Sequence, residues 1–105
     1  MACIIWTETA LLDLDQIADY IALDKPEAAR RLVRRVFGSV ERLADFPESG
    51  SHPKELRQLQ NSAYRQLVIP PLRIFYRIQE QTIFIIYVMR GERLFLLDDL
   101  SDREA

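Results

Sequence analysis

Cysteine and histidine are almost absent from this chain: Cys3 and His52 are the only examples among its 105 residues. One thiol makes an internal disulfide impossible, and one thiol with one imidazole cannot furnish the Cys/His set of a structural zinc site. Cys3, inside an apolar run, reads as a small buried hydrophobe. Long apolar runs are missing too, since none approaches the roughly eighteen residues that cross a bilayer. The opening "MACIIWTETA" has neither the basic flank nor the long apolar stretch of a secretory signal, so a cytoplasmic protein is the expectation. Glycine is scarce, and no glycine-rich phosphate loop, Ser/His/Asp order or paired-acid motif occurs. No lysine follows Lys54. No cofactor and no metal are expected.

What is present fits one compact domain over residues 1–105: hydrophobic residues make up 49% of the chain and charged residues 29%. The net charge of −2 conceals strong segregation. From Thr7 to Asp24 the acids Glu8, Asp13, Asp15, Asp19 and Asp24 face no base. From Lys25 to Phe46 bases outnumber acids, and from Lys54 to Arg93 they do so again. Residues 95–105 form an acidic tail carrying Asp98, Asp99, Asp102 and Glu104 against Arg103. A basic second half implies a surface that meets something anionic, although the whole chain is no polycation.

The run "ACIIW" reads as a short strand. Thr7 then supplies an N-cap for a helix in which Leu11, Leu14, Ile17, Ala18 and Ile21 recur at spacings of three and four. Asp24 and Glu27 form a capping-box pattern around Lys25-Pro26, with proline in the first turn of a second helix. Ala29, Leu32, Val33, Val36, Phe37, Val40, Leu43 and Ala44 keep helical period until "DFPESG" ends it. A loop-like stretch follows, with a short helical turn expected at Pro53 to Leu59. Then come "YRQLVI", "LRIFYRI" and "TIFIIYVM", rich in β-branched and aromatic residues and too close in sequence to pair in parallel. The last shows no alternation, which places it centrally in the sheet with both faces covered. The order β-α-α-β-β-β predicts an α+β fold, a helical hairpin packed on a small antiparallel sheet, with a short C-terminal tail.

A period of two puts Arg73, Phe75 and Arg77 opposite Leu72, Ile74, Tyr76 and Ile78, and separates Arg65, Leu67 and Ile69 from Tyr64, Gln66 and Val68. With Arg90 and Arg93 at the exit of the last strand, Arg65, Arg73, Arg77, Arg90 and Arg93 are expected on or beside one sheet face. Arginine neutralises anions but keeps its proton, so it makes a poor general base. The groups available for proton transfer are His52, Glu80, Glu92, Tyr64, Tyr76 and Tyr87, and none has a spacing that implies a working pair. Arg30, Arg31, Arg34 and Arg35 form a further basic stripe on the second helix, of the kind that is usually a solvated face.

Taken together, "IIWTETALLDLDQIADYI", "ERLADFPESG", "YRQLVIPPLRIFYRI" and "IIYVMRGERL" resemble the ParE/RelE superfamily of bacterial type II toxins over roughly residues 2 to 94, and the ParE branch more closely. The resemblance implies the same helical hairpin on an antiparallel sheet. RelE-like members cleave mRNA on the ribosome; ParE-like members poison DNA gyrase. Of the groups that serve RelE-like cleavage, Arg73 matches clearly, while the lysine positions fall on Arg65 and Leu67, the C-terminal arginine on Gly91 and the tyrosine near Leu97. The absence of a visible base and the lost matches agree.

The resemblance therefore implies a non-enzymatic toxin that inhibits DNA gyrase by protein–protein contact and blocks replication. The alternatives are a metal-independent, ribosome-dependent mRNA endonuclease and a non-toxic relative that retains antitoxin binding. The partners implied are a cognate antitoxin, in a toxin–antitoxin hetero-oligomer, and DNA gyrase, without a membrane and without direct nucleic-acid contact. Candidates for contact with gyrase are Arg65, Arg73, Arg77, Arg90 and Arg93. Candidates for contact with the antitoxin are Arg30, Arg31, Arg34, Arg35, Arg73 and Arg90.

Overall fold

A computed structural model of the chain describes residues 1–54 and 63–91. Strand β1 spans Cys3–Trp6, helix α1 Glu8–Ala22 and helix α2 Pro26–Glu41, with a 3₁₀ turn at Arg42–Ala44. Strands β2 (Tyr64–Ile69), β3 (Leu72–Gln79) and β4 (Thr82–Arg90) complete the described elements. The sheet order is β1-β4-β3-β2. Consecutive strands β2, β3 and β4 pair antiparallel, as their short connections require. β1 joins β4 in parallel, Ile4 opposite Ile83 and Trp6 opposite Ile85, so the sheet is mixed rather than wholly antiparallel. The helical hairpin separates β1 from β4 in sequence and removes the hairpin constraint.

Both helices lie on one face. Ala10, Leu14, Leu32, Val36, Val40 and Leu43 meet Leu72, Ile74, Tyr76, Ile83, Ile85 and Val88 in one buried cluster. Each fully buried aliphatic side chain contributes about 1.5–3 kcal/mol. Phe75, Ile86, Tyr87 and Met89 form a second buried cluster, with Tyr64 and Phe84 packed against it. This is why the β4 sequence lacks alternation: both faces of the strand are apolar and covered.

One irregularity decides where the end of β4 points. Phe75 opposes Tyr87 while Tyr76 opposes Ile85, so Ile86 is an extra residue on β4, a β-bulge. Ile83 and Ile85 face the helices, Ile86 and Tyr87 both face away, and Val88 faces the helices again. Strict alternation would have reversed every residue after the bulge.

The start of α1 is bolted to β4. The Thr7 hydroxyl donates to the Ile85 carbonyl at 2.8 Å and accepts from the Ala10 N–H at 3.2 Å, so one side chain caps the helix and anchors it to the sheet. One helical stretch later, Asp13 Oδ2 accepts from the Val88 N–H at 3.1 Å, serving a strand edge that β1 is too short to reach. Ala10, fully buried between these two anchors, leaves room for the helix to approach the sheet. Trp6 packs against Phe37 of α2 with ring centroids 5.0 Å apart. The run from Trp6 to Leu14 is thus a docking device for α1.

Two local expectations are corrected: Cys3, read as buried, is exposed, and the capping box at the start of α2 does not form. α2 starts at Pro26, which makes Lys25 its N-cap, without a side-chain capping bond. Asp24 lies one residue too early to close a capping box, and Glu27 pairs with Arg30 instead. The helical turn expected at Pro53 to Leu59 lies largely outside the described residues.

Candidate partner and target binding site

The five arginines expected on one face divide among three settings. Arg73 and Arg77 project from the outer face of β3, opposite Val68 and Tyr64. Arg73 is only 7% exposed; its Nε donates to Gln66 Oε1 at 2.9 Å and its guanidinium lies 4.9 Å from the Phe75 ring centre. Arg77 donates to Gln79 Oε1 and lies 4.8 Å from the Phe84 ring centre. These two form a matched pair of guanidiniums stacked on aromatic rings. The outer face therefore holds its cations rigidly, and Arg73 is mostly occupied in ordering the sheet.

Arg65 is directed to the other face, since it pairs with Tyr76 across the strands. Its Nη1 donates to the carbonyls of Gly50, at 2.9 Å, and Glu48, at 3.2 Å. The same loop is held by Tyr76, whose hydroxyl donates to the Pro47 carbonyl at 2.8 Å and accepts from the Gly50 N–H at 2.9 Å. Ser51 and Gln66 exchange backbone hydrogen bonds beside it. Burial raises the Tyr76 phenol above its ordinary value, against the opposing influences of the Gly50 N–H and Arg65. Arg65 and Tyr76 are accordingly loop anchors, and Tyr76 is unsuited to exchanging protons with a substrate.

Arg90 lies elsewhere again. Because the bulge restores Val88 to the helix side, Arg90 follows it, and it lines a cavity of about 350 Å³ between α1 and the sheet. Arg90 is exposed. Arg93 lies outside the described residues. Period-two reasoning predicts the faces on β3 but not the position of Arg90, because nothing in "IIYVM" marks Ile86 as the bulged residue.

On α2, Arg30 pairs with Glu27 and Arg35 donates to the Pro70 carbonyl at 3.0 Å. Arg30 and Arg34 border a shallow depression of about 400 Å³ over Ala18, Ala22, Ala29 and Val33. It adjoins a second depression of about 440 Å³ that shares Ala18 and Val33 and reaches Leu11, Leu12 and Phe37. Leu11, Leu12 and Phe37 are all exposed. The solvent side of the helical hairpin is therefore an apolar furrow with acids on the α1 rim and arginines on the α2 rim. Arg31 and Arg35 fall on other parts of the helix circumference.

Among the candidate proton-transfer groups, Tyr87 is 9% exposed and packs edge-on to Phe75 with centroids 6.1 Å apart. Glu80 occupies the β3–β4 turn, and Glu92 is outside the described residues. His52 is exposed, with Nδ1 3.3 Å from the Tyr64 carbonyl. Among the described residues no three His, Cys, Asp or Glu side chains gather as metal ligands, and no helix is long and apolar enough to cross a membrane.

Residues 4–95 match the family model described as the ParE toxin of the type II toxin–antitoxin system, parDE. Toxin RelE2 of Caulobacter vibrioides is 35% identical over 95 residues, spanning 90% of this chain and 100% of that protein. Among solved structures, the chromosomal ParDE toxin–antitoxin system from P. aeruginosa aligns with a TM-score of 0.71 at 25% identity, over 88% of this chain and 98% of that one. The RelBE2 toxin–antitoxin complex from Mycobacterium tuberculosis aligns with a TM-score of 0.54 at 23% identity, over 85% and 96%, a likeness of fold.

Proposed function

The chain belongs to the ParE toxin family, within the ParE/RelE superfamily of type II toxins, and on that premise we propose that it inhibits DNA gyrase by protein–protein contact. Its cognate antitoxin holds it inactive. The observation that carries this reading is the state of the best-matched RelE-type residue. Arg73 is buried, bonded to Gln66 and stacked on Phe75. Tyr76, the phenol of β3, faces the opposite side and is consumed by the loop at Pro47 and Gly50. The outer face holds its guanidiniums over aromatic rings, Arg73 over Phe75 and Arg77 over Phe84. Such a surface binds and stabilises charge, which suits the trapping of a partner enzyme better than phosphodiester cleavage. In this reading Arg90 and Arg77 make the contacts with gyrase, while Arg65 and Arg73 hold the sheet and loop in shape. Replication stops because gyrase is held with its DNA cleaved.

One observation favours the endonuclease alternative. His52 sits against the backbone of Tyr64, whose cross-strand neighbour is Arg77. That brings an imidazole to the strand end that carries an outer-face guanidinium. A cell-free translation extract separates the two readings. Purified toxin should leave ribosome-bound mRNA intact, and His52→Ala should be as toxic as the parent. Cleavage of mRNA within the ribosome, abolished by His52→Ala, would replace the gyrase reading with the endonuclease.

A further inference from the structure

The furrow on the solvent side of the helical hairpin is layered along its length. Towards the start of α1 it is apolar: Leu11, Leu12 and Phe37 border the depression of about 440 Å³ and are 43%, 56% and 37% exposed. Phe37 keeps that exposure although its ring packs against Trp6. Towards the connection between the helices the walls carry opposite charges, Asp15 and Asp19 on α1 and Arg30 and Arg34 on α2. All four are exposed. Ala18 and Val33 border both depressions, so these two residues lie at one level of the antiparallel hairpin. Arg34, next to Val33, therefore falls between the levels of Asp15 and Asp19 along the helix axes. Contiguous exposed apolar surface with a polar rim marks an interaction site more strongly than scattered exposed leucines do.

A second copy of this chain fits that layering in one orientation. Two hairpins laid face to face are related by a two-fold axis that runs either across the helices or along them. An axis across them sets α1 on α1 and α2 on α2, so acids oppose acids and arginines oppose arginines, which is costly. An axis along them sets α1 of each copy antiparallel on α2 of the other and preserves level. Asp15 and Asp19 then meet Arg34 of the other copy, and Leu11 and Leu12 meet its Phe37.

We propose that the hairpin furrow is a self-association surface, on which two copies of the chain close into a four-helix bundle with α1 of each copy on α2 of the other. The apolar layer supplies the burial. Exposed ion pairs add little each, and Arg30 also pairs with Glu27 along its own helix, so charge selects the orientation more than it adds strength. Helices of 15 and 16 residues give a face about 22–24 Å long and about 20 Å wide. A face of that size sits at the low end of specific interfaces, so the dimer forms at micromolar concentrations and comes apart on dilution. The hairpin covers one side of the sheet, and Arg73 and Arg77 project from the other, so each copy keeps its outer face outside the bundle.

Sedimentation velocity of the full-length chain alone, across about 1–100 µM, reads this association directly. The parent should pass from monomer to dimer in that range. Asp15→Arg/Asp19→Arg and Arg30→Glu/Arg34→Glu each set like charges against one another across the two-fold, and each should weaken the dimer about tenfold or more while keeping a folded circular-dichroism spectrum. An equimolar mixture of these two variants should dimerise again, because every exchanged group then meets its complement. Leu12→Ser should weaken the dimer with an unchanged thermal melt, since Leu12 is exposed in the single chain. Arg31→Glu/Arg42→Glu makes the same charge change away from the furrow. It should dimerise like the parent and should rescue Asp15→Arg/Asp19→Arg far less than the furrow variant does. A parent that stays monomeric to about 100 µM overturns the proposal. A dimer untouched by both furrow variants places the association on another surface, and equal rescue by Arg31→Glu/Arg42→Glu reduces it to attraction between net charges; either result also overturns it.

Discussion

The Tyr76 hydroxyl and the Gly50 N–H are joined by a hydrogen bond of 2.9 Å, and this pair closes the loop after α2 onto the middle of the sheet. The hydroxyl also donates to Pro47, and Arg65 reaches the neighbouring carbonyls, so four backbone groups of "FPESG" are satisfied by two side chains of the sheet. Of the motif's residues, Gly50 is explained by this packing, since a Cβ there would lie 2.5 Å from the Gln66 carbonyl oxygen and the Tyr76 hydroxyl oxygen.

Tyr76→Phe keeps the ring and deletes both bonds. It should lower stability by about 1–3 kcal/mol, because Gly50 N–H and Pro47 C=O lose their partner in a buried setting. Urea denaturation checks this. The pH dependence has a defined sign. The folded protein holds the phenolic proton more tightly than the unfolded chain, whose tyrosine has the ordinary value of 10.0. The Tyr76 contribution is thus complete below about pH 10 and is lost as pH rises through the higher folded value. The stability gap between parent and Tyr76→Phe should narrow in that alkaline window.

Gly50→Ala should be as damaging for a steric reason. A Cβ there would lie 2.5 Å from both the Gln66 carbonyl oxygen and the Tyr76 hydroxyl oxygen. The first is strand backbone and cannot yield cheaply. A loss of about 1–3 kcal/mol is expected by thermal or urea unfolding. The size of the loss should shrink in the Tyr76→Phe background, since the hydroxyl oxygen is then gone, although the ring carbon Cε1, 2.8 Å from the same Cβ, remains.

Asp13→Ala removes the acceptor for Val88 N–H at 3.1 Å and loosens α1 from β4. The expected cost is about 1–3 kcal/mol, with Asp13→Asn recovering a good part because an amide oxygen can still accept. Hydrogen exchange offers a local check: the Val88 amide should lose protection in Asp13→Ala well before amides in the middle of β3.

The sequence carried the helices and their buried faces openly, because Leu14, Leu32, Val36 and Val40 repeat at helical spacing and all four are buried. The central place of β4 was legible for the opposite reason, its lack of any period. Residues 72–78 obeyed strict alternation, which correctly separated Arg73 and Arg77 from Tyr76. The site was less legible. Register between strands is set by contacts distant in sequence, so Arg65 gave no sign that its partners would be Glu48 and Gly50. The single extra residue at Ile86 reversed the face of Arg90, and an uninterrupted apolar run has no polar mark to reveal such a shift. Asp13 read as one more surface acid of an acidic helix, since its partner is a backbone N–H seventy-five residues away.

Binding to gyrase without catalysis is the central claim, and a gyrase assay on plasmid DNA measures it most directly. Purified toxin is added to gyrase and relaxed plasmid, with and without antitoxin, and supercoiled and linear products are quantified. The account predicts loss of supercoiling with linear DNA accumulating, reversal by antitoxin, and a weaker effect for Arg90→Glu. Unperturbed supercoiling at a large excess of folded toxin would contradict it.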